Sequence, residues 1–278
     1  MNLGVYRGSG RPDLIPGYVA WLGAPLTHVV DFLPGSWAAI DSPSWWLGKW
    51  SPTPYTLVLT VPMLPNSSFT LEAGARGDYD AHWRSFARTL VAKKMQSRTI
   101  VRLGHEPRVP SYAWYCKGKE ATYAAYFRRV VTIVRSVAGP VRFEWCMLAG
   151  GGINAEAAWP GANYVSTVGL DIYDITKVGT TGQARWDLLR TAPYSLEWHK
   201  AFAAKQGKPR AFSEWGVVDV THGGAGDNPF YVERMVEWTS TAAYACYFEV
   251  NAPDGAHRLM PGSWTNFPKA AAKYRGLV

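Results

Sequence analysis

Short apolar runs alternate with longer amphipathic segments along most of the chain. Runs of this length, bounded by Gly, Pro and Asn, are typical of buried strands, and the segments between them repeat apolar residues at helical spacing. An alternation of strand and helix predicts parallel βαβ units. Eight runs are interpreted as strands, in this order: residues 3–7, 27–33, 56–64, 99–104, 141–148, 165–173, 210–215 and 243–250.

The helical segments complete a barrel pattern. Pro62 lies inside the third run, and because proline cannot donate to a sheet ladder, it predicts a bulge or an early strand end there. With eight strands in order and no linker between them, the sequence predicts an α/β fold, a single (β/α)₈ TIM barrel domain covering residues 1–278. The clearest helices are predicted at residues 78–96, 120–137, 186–206, 231–240 and 264–274.

Composition supports a well-packed enzyme-like domain. The 278 residues are 47% apolar and 18% charged, which argues against disorder. Fourteen Trp and fifteen Tyr are many for this length and suit sugar binding, because a flat ring packs against the apolar face of a pyranose. The net charge of +8 favours negatively charged partners such as a cell envelope. Its Lys and Arg are scattered, and with no recognisable binding motif the sequence predicts no nucleic-acid partner.

Three cysteines, Cys116, Cys146 and Cys246, do not make a disulfide framework. No ligand spacing indicates a metal site, so the sequence predicts neither a metal nor another cofactor. No apolar run is long enough to span a membrane, and the first residues lead into a strand without a secretory signal. We therefore predict an extracellular or virion-associated protein whose partner is a polysaccharide, with a phage tail as one possible larger particle.

Two carboxylates, Glu106 and Glu214, end the fourth and seventh predicted strands. In a (β/α)₈ barrel the C-terminal ends of the strands carry the active site, so both should face the same mouth. A pair of carboxylates is what glycoside hydrolysis needs, one as acid and one as nucleophile. The alternative reading is a surface carboxylate or a helix N-cap. Glu144 and Glu249, within strands five and eight, either point into the mouth, where one of them is a rival catalytic group, or pair with Arg.

Aromatic residues near these strand ends are candidate sugar platforms. His105 precedes Glu106 and is either a plain strand residue or a donor to a sugar hydroxyl. Trp145 lies inside a strand and is predicted to pack in the core. The predicted platforms follow the strands: one of Trp45 and Trp46 after strand two, Trp114 and Tyr115 after strand four, Tyr173 after strand six, and Trp215 after strand seven.

Three motifs resemble glycoside hydrolase family 26, the β-mannanase family with catalytic Glu on strands four and seven. Arg102, His105 and Glu106 match its Arg-x-x-His-Glu, in which the Glu is the acid/base. The segment Val-Gly-Leu-Asp-Ile-Tyr, with Asp171 in it, matches Val-Gly-x-Asp-x-Tyr, and Glu214 in Glu-Trp-Gly matches the nucleophile motif. The resemblance implies a barrel with Arg102 and Asp171 beside the substrate.

Two segments depart from the family pattern. Residues 107–110 read Pro-Arg-Val-Pro where the family has a hydrophobic residue, Asn and Gly, and residues 146–149 replace the expected Trp-Asn-Pro-like strand end. Both fall beside the substrate, so the resemblance indicates hydrolase chemistry more than it indicates mannan. We predict a retaining endo-glycoside hydrolase acting on a β-mannan-like or bacterial cell-envelope glycan. The alternative is a carbohydrate-binding barrel with little or no turnover, such as a phage tail adhesion component.

Overall fold

A computed structural model describes residues 2–176, 179–262 and 267–278. Eight parallel strands, β1 to β8, pair in chain order, and β8 closes on β1, so the predicted (β/α)₈ barrel is confirmed. The eight strands are Leu3–Tyr6, His28–Phe32, Thr56–Val61, Thr99–Leu103, Arg142–Leu148, Thr167–Tyr173, Arg210–Gly216 and Tyr244–Phe248. The third strand ends at Val61, directly before Pro62, as the missing N–H of proline requires.

Helices surround this barrel. In chain order, α1 to α10 are Ile15–Leu22, Trp37–Asp41, Ser44–Trp50, Leu71–Arg76, Asp80–Ala92, Glu120–Ala138, Gly182–Thr191, Leu196–Lys205, Pro229–Thr239 and Pro268–Leu277.

Some predicted helices have different bounds. The segment 186–206 is two helices, because α7 ends before Pro193 and α8 starts after it. The last helix begins at Pro268, and residues 264–266 of its predicted span lie outside the described residues. The sequence gives no bounds for the first four helices, because they have only five to eight residues and show little helical periodicity.

Alternation along each strand sorts the side chains. Val30, Val58, Ile100, Ala211 and Cys246 fill the barrel interior with Tyr244, whereas the alternate positions face the helices. Trp145 is fully buried among Trp159, Trp198 and Phe202, as predicted for a core residue. Cys146 and Cys246 are fully buried. Arg102 and Glu214 lie above this apolar layer, toward the C-terminal ends of the strands, whereas His28 stacks on Tyr244 where β2 and β8 begin.

Candidate active site

Strand β4 brings two of the predicted residues to the mouth. Arg102 points into the barrel and is fully buried. Gly104, with φ of +52°, and Glu106, with φ of +48°, then turn the chain away from the strand. A left-handed backbone is uncommon for a non-glycine residue and marks a position that the surrounding structure holds in place. The Glu106 N–H donates to the Cys146 carbonyl at 2.9 Å, which fixes this turn against the end of β5.

Strand β7 delivers Glu214 through a β-bulge. Phe212 packs outward against His199 of α8, and Ser213 points inward, where it donates to Glu144 at 2.8 Å. Strict alternation would then turn Glu214 outward, but the register of β7 with β8 shifts between Phe212 and Trp215. The extra residue of the bulge lets Glu214 also face inward. Trp215 consequently points outward.

Arg102 connects the acidic residues of the mouth. Its Nη1 donates to Glu214 Oε1 at 2.5 Å and to Thr60 at 3.1 Å, and its Nη2 pairs with Asp171. Tyr173 donates to the other oxygen, Glu214 Oε2, at 2.5 Å. Both oxygens of Glu214 are thus held by short charge-assisted hydrogen bonds, which orient the carboxylate and offset its negative charge. Four of the predicted site residues therefore form one connected network.

Glu106 has a different electrostatic environment. Burial, followed by the negative charge of Glu214, raises its pKa from 4.5 to about 7. Arg102 and hydrogen bonds from Asp171 and Tyr112 oppose this rise. Burial also raises the pKa of Asp171 well above its usual value. Near neutral pH the carboxyl of Glu106 is therefore available in its protonated form, beside a carboxylate held by Arg102.

The two alternative catalytic carboxylates, Glu144 and Glu249, are held by other hydrogen bonds. Glu144 lies inside the barrel below Arg102, where it accepts from Ser213 and from Tyr244. Glu249 accepts from the backbone N–H groups of Leu259 and Met260 and contacts Arg7. Both are fully buried, so neither side chain is open to a substrate.

His105 and the loop after β4 form one wall of the mouth. The ring of His105 lies 5.1 Å from that of Tyr112 and 5.6 Å from that of Trp114, whose indole N–H donates to the His105 carbonyl. Burial and the charge of Arg102 hold the pKa of His105 well below 6.5, so its ring is neutral. Its buried Nδ1 has no hydrogen-bond partner among the described residues. Tyr115 and Trp114 line the cavity beside this wall.

Sequence reasoning missed two features of the mouth. Tyr112 donates to Glu106 Oε2 at 3.3 Å and lies in an irregular loop with no periodic pattern to mark it. Tyr6, Phe32 and Phe248 end β1, β2 and β8. Phe32 packs edge to face against the other two rings, Tyr6 and Phe248 are tilted, and the ring centroids are 4.7 to 6.5 Å apart. The rule that points to Glu106, a polar or aromatic residue at a strand end, would also have found these three.

The other residues predicted as sugar platforms, Trp215, Trp45 and Trp46, differ in their burial and contacts. Trp215 is only 1% exposed and packs against Tyr231 and Tyr274 of α9 and α10, which contradicts its prediction as a sugar platform. The bulge in β7 is the physical reason. Trp46 donates to Ser9 in the loop after β1 and Trp45 is 52% exposed, so this pair lies at the rim beside β1 and β2.

Within the described ranges, no group of three or more His, Cys, Asp or Glu side chains could hold a metal ion. None of the helices in those ranges is both long and apolar enough to cross a membrane.

Three solved structures similar to this chain are glycoside hydrolases. GH26C from a Muricauda species is 15% identical, with a TM-score of 0.66 over 100% of this chain and 84% of its own. A fungal β-1,4-galactanase is 11% identical, with a TM-score of 0.65 over 99% of both chains. A GH26 β-mannanase from Bacteroides ovatus is 13% identical, with a TM-score of 0.62 over 100% of this chain and 88% of its own. At these identities the likeness establishes the barrel fold.

No protein-family model matches the sequence, and no curated protein does.

Proposed function

We propose that the protein is a retaining endo-glycoside hydrolase, with Glu106 as the acid/base and Glu214 as the nucleophile. The observation that carries the proposal is the contrast between two neighbouring carboxyl groups. Glu214 is held by Arg102 and Tyr173 at 2.5 Å each, whereas burial and the charge of Glu214 raise the pKa of Glu106 to about 7. Two carboxyl groups in such opposed environments are the requirement for an acid and a nucleophile at one site.

The reaction then runs in two steps. Glu214 attacks the anomeric carbon while Glu106 gives its proton to the glycosidic oxygen, so that bond breaks and the leaving chain departs as an alcohol. Glu106, now ionised, removes a proton from water, and the hydroxide equivalent attacks the anomeric carbon and releases Glu214. Two inversions retain the original configuration. His105 and Asp171 lie next to this pair, and Asp171 pairs with Arg102, which holds Glu214.

The proposed substrate class is supported by the aromatic side chains at the barrel mouth and by the similar solved structures. The exposed ring of Trp45 at the rim, Tyr173 at the nucleophile and Tyr112 at the acid suit several sugar rings in a row. The similar structures include enzymes named for β-mannan and β-1,4-galactan, so these two polymers, with bacterial envelope glycans, make up the first substrate panel. An extracellular or virion-associated location fits such a substrate and stays a prediction.

Azide rescue tests the two roles separately. With an activated aryl glycoside, which needs no acid for departure, azide should restore turnover to Glu106→Ala and give a glycosyl azide with the anomeric configuration of the substrate. In Glu214→Ala, azide replaces the nucleophile and should give the opposite anomer. Exposed Glu156 provides a control, since Glu156→Ala should behave as the parent.

Failure can take two forms. Near-normal turnover of either Glu variant would overturn the assignment of its residue. Oligosaccharide binding without any product, across the whole panel and for the parent, would instead favour the carbohydrate-binding barrel.

A further inference from the structure

A groove lies at the mouth beside the catalytic pair, between the loop after β3 and the loop after β4. Its volume is about 740 Å³, which is within the range of saccharide- and ligand-sized sites. Phe69 and Tyr115 contribute aromatic surface, and Ser67 and Ser111 contribute polar side chains. We name it the Lys117 groove, because Lys117 lies in its lining. An apolar and hydroxyl-bearing surface of this kind suits sugar rings.

Tyr112 connects the groove to Glu106. It lines the groove and also donates to Glu106 Oε2 at 3.3 Å, so the groove lies on the Glu106 side of the catalytic pair. Because a general acid protonates the glycosidic oxygen of the leaving group, the leaving-group sugars lie on its side of the cleavage point. This step rests on the proposed function and assigns the groove to the reducing-end part of the substrate.

The charge of the groove is positive. Of the residues that the structure describes, Lys117 and Lys119 line it and no carboxylate does. Lys119 is neutralised by Glu72, whose Oε1 lies 3.0 Å from its Nζ. Lys117 has no ion-pair partner among the described residues, so one uncompensated cation faces the groove. The net charge of +8 strengthens the attraction for an anion.

We infer that the Lys117 groove binds the leaving-group end of an anionic saccharide, in which a carboxylate or another negatively charged substituent pairs with Lys117. Lys117 is thus a specificity residue, and the protein prefers acidic glycans to neutral ones of the same backbone. Because the groove opens to solvent, the preference is modest, about two- to fivefold in affinity, and is screened by salt.

Matched oligosaccharides test how a negative charge on the saccharide changes its affinity for the protein. Tri- to hexasaccharides of β-1,4-mannan and β-1,4-galactan are oxidised at the reducing end to the aldonate, or reduced there to the alditol. Both products end in an open chain, so they differ only in the negative charge. Calorimetry on the full chain carrying Glu214→Gln measures binding without turnover. We expect the aldonate to bind about two- to fivefold tighter than the alditol at about 0.01 M salt and equally at about 1 M salt.

Variants assign the preference to the groove. Lys117→Ala should abolish it and Lys117→Glu should reverse it, whereas Glu72→Gln should enlarge it by releasing Lys119. Lys93→Ala removes the same charge where the chain enters β4, at the opposite end of the barrel, and should leave the preference unchanged.

Two results would overturn the inference: equal affinity for aldonate and alditol at low salt, or a preference that survives Lys117→Ala. Neither depends on hydrolysis. If the parent binds aldonates more tightly but cleaves nothing, the proposed enzyme activity is wrong, whereas the proposed binding of anionic saccharides in the Lys117 groove is supported. If the parent cleaves both kinds of chain with the same kcat/KM and binds them equally, the proposed charge preference of the groove is wrong, whereas the proposed hydrolase activity is supported.

Discussion

Replacing Glu106 with Gln should make the folded protein less sensitive to rising pH. The parent carboxyl has a pKa of about 7 when folded and about 4.5 when unfolded, so folding near neutral pH requires the uptake of a proton. The contribution of this group is full below pH 4.5 and is lost as pH rises from there through 7. The difference in pKa corresponds to about 3 kcal/mol. Gln keeps an acceptor for Tyr112 and has no proton to take up.

Urea denaturation at about pH 4 and about pH 8 measures this effect. Relative to the parent, Glu106→Gln should gain up to about 3 kcal/mol of unfolding free energy between the two pH values. The exposed Glu156 provides the control, and Glu156→Gln should follow the parent at both pH values. A Glu106→Gln variant that also follows the parent at both would refute the claim that the fold holds Glu106 protonated.

Three further substitutions test neighbouring contacts. Tyr112→Phe removes a hydrogen bond that lowers the pKa of Glu106, so the alkaline limb of the pH–kcat/KM profile should move upward; an unchanged or lowered limb would contradict this. Tyr173→Phe removes a 2.5 Å hydrogen bond to Glu214 and should reduce kcat about ten- to a hundredfold, with a parent-like kcat as the refuting result. Trp215→Phe should cost about 1–3 kcal/mol of stability with an unchanged KM, and a raised KM would mean that its ring does contact the substrate.

The strand pattern was strong enough to predict the barrel, because buried parallel strands are apolar along their whole length. The same pattern could not predict the bulge in β7, which leaves no mark on composition. Strict alternation would place Trp215 on the same side as Ser213, whereas the bulge puts Ser213 and Glu214 side by side and turns Trp215 outward. A one-residue change in register reverses every later side chain of the strand. Because β7 ends at Gly216, Trp215 is the only predicted site residue that this reversal affects.

The catalytic candidates could be predicted from the sequence because the active site of this fold lies at the C-terminal ends of the strands. Tyr112 was not accessible, because its loop follows two left-handed residues, Gly104 and Glu106, whose conformation only the folded chain defines. The short helix α4 was missed for lack of periodicity, and with it the ion pair between Glu72 and Lys119. Charges that meet across two loops cannot be paired from spacing along the chain.

The anomeric configuration of the first product tests the central claim most directly. Proton NMR follows the parent protein while it cleaves the oligosaccharide that the panel identifies as its best substrate, before mutarotation mixes the anomers. If Glu214 is the nucleophile, the first product has the same configuration as the bond that was cleaved, and Glu214→Gln forms none. A first product of opposite configuration would contradict a nucleophilic Glu214, because single displacement by water inverts the centre.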